Sequence, residues 1–154
     1  MRHSIMADKY FKIHEAQELL PMIGVYLKQA RDQKQRVDGL NEELSQAAAR
    51  IMVLGGSIPP HNDLSRKKTE RDDFATQVQE SVSRILETGC VIKDLDEGLV
   101  DFPSLLNGEE IYLCWKLGEK RIEFWHGVQE GFAGRKPLDD SSSNEPPPGP
   151  PRVH

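Results

Sequence analysis

From Glu15 to Leu54 the apolar residues recur with a helical period. Positions seven apart read Ile23, Ala30, Val37, Leu44 and Ile51, and a second set reads Tyr26, Gln33, Leu40, Ala47 and Leu54. Nine of these ten are apolar, which predicts one long helix with an a/d seam. At 1.5 Å per residue such a helix runs for about 60 Å. Pro21 lies inside it and has no N–H to donate, so a kink is expected in the first two turns. His14 and Gln17 stand where a capping box would stand, although His is a poor substitute for Ser or Thr there.

The seam stops at Gly55-Gly56-Ser57-Ile58-Pro59-Pro60, a run that no helix crosses. A second helical pattern starts at Asn62 or Asp63 and ends at Thr88. Leu64, Lys68, Arg71, Ala75, Val78, Val82 and Ile85 share its seam, with Phe74 and Leu86 beside it. Gly89 suits the left-handed residue that closes a helix. Two helices joined by a breaker predict an antiparallel hairpin. The rival, a parallel homodimeric coiled coil, would leave the second helix without a partner.

Beyond Gly89 the period changes to two, the signature of strands. Asp96-Glu97-Gly98 predicts a hairpin loop with Gly98 left-handed, in a register that sets Lys93 opposite Asp101. Ile92 and Asp94 then share a face with Val100 and Phe102. Asn107-Gly108 makes the next turn, and a tight turn at Gly118-Glu119 would join 111–117 to 121–126. That register pairs Trp115 with Ile122, Leu113 with Phe124 and Ile111 with His126, placing His126 on the apolar face. The expected fold is α+β: a long antiparallel helical hairpin (14–88) packed against a small four-stranded antiparallel β-meander (90–138, including a Gly-rich segment). Residues 1–138 form one domain. The Pro- and Ser-rich segment 139–154 is expected to be a disordered tail.

Composition narrows the function. Twenty Lys and Arg against 25 Asp and Glu leave a formal charge of -5, and the pI is near 5.5. This argues against nucleic acid, whose phosphates call for a basic surface. No apolar run is long enough for a membrane span, and no signal-peptide core opens the chain. The two cysteines, Cys90 and Cys114, do not suggest an oxidising compartment, so a cytoplasmic protein is expected.

The face analysis leaves Asp94 and His126 as polar residues among apolar neighbours, and each needs a partner. One reading is a polar site with a divalent metal held by His126 and Asp94. The plainer one is a His bonded to a carbonyl and an Asp closing its own turn. No HExxH, CxxC or HxH spacing supports the metal. Asp101 is explained by Lys93, Glu119 by its turn, and the two thiols as inert. In Gly131-Phe132-Ala133-Gly134-Arg135 the glycines would let backbone approach a ligand and Arg135 could clamp an anion. Alternatively Phe132 plugs a core and Arg135 pairs with an acid. The segment is not a P-loop. The distal seam, Ala47 to Leu54, is a candidate surface for a second copy or another protein.

Several of these stretches resemble a bacterial family catalogued as domain of unknown function 2203. They are Val91-Ile92-Lys93-Asp94, Gly98-Leu99-Val100-Asp101-Phe102-Pro103, Tyr112-Leu113-Cys114-Trp115-Lys116-Leu117-Gly118-Glu119, Phe124-Trp125-His126 and the Gly131–Arg135 segment. Glu15-Ala16 and Leu19-Leu20-Pro21 match its first helix, and the resemblance covers roughly 10 to 138. It implies no activity, but it puts Asp94, Asp101, Glu119, Trp125, His126 and Arg135 in a shared pattern. His14 departs from the expected Thr or Ser cap. The leading functional expectation is a non-enzymatic binding or adaptor protein that holds a small anion or metal near His126, Arg135 and Asp94, with Gly131, Gly134 and Trp125 alongside, and its helical hairpin is the candidate surface for a homodimer or a protein partner. The alternatives are a hydrolase-like enzyme, with His126 as base or metal ligand oriented by Glu119 or Asp101 and Arg135 stabilising an anion, and a purely structural scaffold. Either version of the site requires His126 and Arg135 on one side of the sheet.

Overall fold

The computed structural model describes residues 9–55 and 61–138. The expected tail (139–154) and most of the breaker (56–60) lie outside the described residues. Helix α1 spans Ile13–Val53 and runs on through Pro21, and α2 spans His61–Leu86. Gln33 meets Gln77 and Ser81, Asn41 meets Arg71, and Glu43 meets Lys67. These pairings run in opposite directions along the two helices, so the hairpin is antiparallel, as expected. The capping assignment changes. His14 lies inside α1, whose start is capped by Glu15 accepting the Lys12 N–H at 2.8 Å. Gln17 instead reaches the sheet, its Oε1 accepting the Ile122 N–H at 3.0 Å.

The sheet has five antiparallel strands in chain order: β1 Val91–Asp94, β2 Leu99–Leu106, β3 Glu109–Lys116, β4 Phe124–Gly127 and β5 Lys136–Pro137. The expected meander thus gains a short fifth strand. Val100, Phe102, Ile111, Leu113 and Trp115 pack with Leu20, Ile23, Leu27 and Ile85 into one core. Phe11 closes the end of this core, its ring edge-on to Phe102 at 5.3 Å. Its N–H donates to the Pro103 carbonyl at 2.7 Å, and the Ser104 hydroxyl donates to its carbonyl at 2.6 Å. Only the first half of α1 lies over this core. Farther along, Val37, Leu44, Ala47 and Ile51 are half-buried and Met52, Val53 and Leu54 are exposed. Among the described residues, no helix is long and apolar enough to cross a membrane.

Two registers differ from expectation. In the first hairpin Asp101 faces Val91, not Lys93, and a bulge between Ile92 and Asp94 turns Asp94 out of line. In the second, Tyr112 pairs with His126 and Leu113 with Trp125, one residue away from the tight-turn register. The connection is not a two-residue turn: residues 117–123 leave the ladder, with Ile122 captured by Gln17. Because side chains alternate, that one-residue slip moves His126 off the helix-facing side and brings Trp125 onto it.

Gly98 is the tightest turn position. Its φ is +71°, and a Cβ there would lie 2.7 Å from the Leu117 Cβ. Gly98→Ala is therefore expected to destabilise the fold by about 1–3 kcal/mol, combining backbone strain with a clash. Urea unfolding would show this as a lower midpoint at an unchanged slope.

Candidate metal centre

Strands β2, β3 and β4 turn Asp101, Cys114 and His126 toward the face opposite the helices. Asp101 and Cys114 are direct cross-strand neighbours, and Tyr112, two residues before Cys114, is paired with His126. The three side chains converge although they come from three strands. One ligand-type atom from each lies within 4.8 Å of the others, and all three residues are buried, at 1–2% exposure.

The hydrogen bonds define the protonation of the imidazole. Nδ1 lies 2.9 Å from the Gly127 carbonyl, and Nε2 lies 3.0 Å from Asp101 Oδ1. A carbonyl and a carboxylate both accept, so each ring nitrogen donates and the ring is an imidazolium. Burial works against that charge. The Asp101 carboxylate, the Cys114 side chain and the Gly127 carbonyl outweigh it and push the His126 pKa up to about 10. The Tyr112 ring lies 5.5 Å from the imidazole.

The chain's last described segment covers this face. Arg135 lies over Phe124, with its guanidinium 4.1 Å from that ring and 4.5 Å from the ring of Phe132. Its Nη2 donates to both Glu119 oxygens, at 2.8 and 2.9 Å. Glu119 is itself fixed: its Oε1 accepts the Lys116 N–H and its carbonyl accepts the Trp115 indole N–H, both at 2.9 Å. Burial would lower the Arg135 pKa, but Glu119 and Cys114 raise it on balance. Its Nε is buried and has no hydrogen-bond partner.

The structure thus brings Asp101, Glu119, His126 and Arg135 to one side of the sheet, with Cys114 at the centre. It does not bring Asp94 or Trp125 there. Asp94 is exposed and closes its own turn, accepting the Glu97 N–H at 3.1 Å. Trp125 packs against the core on the helix side under Lys136, whose Nζ is 4.7 Å from the ring. Gly131 and Gly134 flank the short 3-10 turn Phe132–Gly134. A Cβ at Gly134 would lie 2.9 Å from the Glu130 Cβ, so that glycine serves packing within the segment. Lys93, being two positions out of register, does not neutralise Asp101; His126 does. Cys114 is the member that sequence reasoning set aside. Its signal was the Asn107-Gly108 turn, which pairs Leu106 with Glu109 and therefore Asp101 with Cys114.

As the site stands, His126 offers no free nitrogen to act as a base. A divalent ion differs from a substrate in that it can replace the Nε2 proton directly. The donor set of thiolate, imidazole and carboxylate suits zinc-class metals. The Nδ1–H bond to a backbone carbonyl is the support that an Nε2-ligating histidine usually has.

These features define an α+β protein with a buried Asp–Cys–His cluster on the helix-free face of its sheet. The chain belongs to the family described as Uncharacterized conserved protein (DUF2203), whose model matches residues 9–138. No curated protein and no solved structure matches it.

The ion pair implies a pH dependence of stability. The His126 pKa is raised in the fold, to about 10 from 6.5. Its contribution to stability is therefore complete below about pH 6.5 and is lost as pH rises toward about 10. Urea unfolding across that range should show a fall that is shallower in the D101L/H126L double variant, which lacks the pair. Asp101→Ala alone should cost about 3–5 kcal/mol, since it strands a buried cation.

Proposed function

We propose that this protein binds one divalent ion of the zinc class at Asp101, Cys114 and His126. The observation that carries the reading is the convergence of a sulfur, a nitrogen and an oxygen donor within 4.8 Å of one another in a buried setting. Ligand bonds of about 2.0–2.3 Å in tetrahedral geometry set donors about 3.3–3.6 Å apart, inside that envelope. The ion replaces the proton on Nε2 and the proton of the thiol, while Nδ1 keeps its bond to Gly127. The metal site foreseen with Asp94 is thereby proposed with Asp101 and Cys114 in its place. Three protein ligands leave a fourth position for water.

A second reading has its own support, since His126 already has an acceptor at each nitrogen. On that reading the cluster is a structural pin holding β4 to β2 across β3. Metal analysis separates the two. Tag-free protein dialysed against zinc and then against metal-free buffer should retain near-stoichiometric metal by mass spectrometry. Cys114→Ser and His126→Ala should lose it. Wild-type protein that retains none, and that fails to compete with a chromophoric chelator for zinc, would leave the structural pin.

A further inference from the structure

The proposed centre raises a question of access. Its donors are all but inaccessible, so an ion can reach them only if something moves. On the helix side, the core and the strand ladders close the sheet. On the other side, the cover is the stretch from Val128 to Arg135, which has no ladder partner between β4 and β5. Its middle residues, 129–133, are exposed, and a Cβ on Gly131 would meet nothing within 4 Å. Phe132 is 41% exposed.

We infer that the Glu119–Arg135 pair is the latch of a strap that controls passage of the metal ion to and from Asp101, Cys114 and His126. The inference rests on the metal-binding reading. Glu119 is the fixed post, held by Lys116 and Trp115 on β3. Arg135 is the bolt. It sits near both the Phe124 and the Phe132 ring, at 4.1 and 4.5 Å, and donates to Glu119 through one nitrogen. The bolt is incompletely satisfied when closed, because its Nε is buried without a partner. Water can satisfy that nitrogen once the strap lifts, which offsets part of the loss of the ion pair. In the closed state Glu119 neutralises Arg135, so the cover does not place an unbalanced positive charge over a bound dication. Since neither latch residue is a ligand, breaking the latch should change how fast the ion moves and not how tightly it is held.

Cobalt(II) binding to metal-stripped full-length protein tests this, read by the cobalt–thiolate charge-transfer absorption. Association is followed under excess cobalt and release under excess EDTA. Glu119→Gln keeps the size of the side chain and an acceptor for the Lys116 N–H, but weakens the hold on Arg135. Both rates should rise about ten-fold, the effect of weakening a part-buried charge-assisted pair. The dissociation constant should stay within about two-fold and the band should keep its position, because the binding partners are unchanged. Phe132→Ala loosens the bolt from its exposed side without touching the core, and should raise both rates in the same way if the Gln variant folds poorly. Unchanged rates in the folded variants would overturn the latch, and so would faster release with unchanged association. A wild-type protein that shows no cobalt–thiolate band would overturn the metal reading itself, and the latch with it.

Discussion

An imidazolium and a carboxylate buried together, with a thiol between them, constrain this structure more tightly than any other contact. Neither charge is tolerable alone away from water, so each requires the other within hydrogen-bond reach. Asp101 is on β2 and His126 on β4, and the two meet across β3 at 3.0 Å. That contact is compatible with only one register of β4. A slip of one residue would swing the imidazole into the apolar core and Trp125 out of it. Apolar burial on the helix side and ion pairing on the other side therefore specify the same register independently, which is the kind of agreement that makes a fold unique.

The second face of the sheet shows how a small domain can bury polar chemistry without a second layer of helices. Its cover is made by the connection between β4 and β5, residues 128–135. Arg135 is central to that cover: its guanidinium lies near the rings of both Phe124 and Phe132, while its charge is paired with Glu119. The helix side is held by shape and the outer side by directional bonds. Changes on the outer face should thus act on the chemistry of the cluster more than on the helical hairpin, whose far half stands clear of the sheet with exposed Met52, Val53 and Leu54.

Local pattern was enough for most of the elements, though not for β5 or the connection 117–123. The seam from Ile23 to Leu54, the breaker at Gly55, the helix stop at Gly89 and the turns at Gly98 and Asn107-Gly108 all depend on neighbours in sequence, where periodicity and turn chemistry act directly. The Asn107-Gly108 turn was informative enough to place Cys114 opposite Asp101, had the pairing been followed through. His126 and Arg135 were legible as residues in need of partners. Their partners were not, because Asp101 had a nearer candidate in Lys93, and short-range charge pairing is the simplest account when register is unknown.

By itself, then, the sequence determined the fold class, the family, the two helices and the first four strands, and most of the polar residues that had to find one another. The tertiary structure alone decided which of them met. A remote contact accompanies that choice: the Gln17 side chain on α1 takes the Ile122 N–H, a contact 105 residues apart in the chain. That donor is bonded to the helix, residues 117–123 begin with the Lys116–Glu119 turn and run on outside the ladder, and β4 enters the sheet one position later than a two-residue turn would place it. Side chains alternate with a period of two, so one position is the difference between a histidine in an apolar core and a histidine at the centre of a buried Asp–Cys–His cluster.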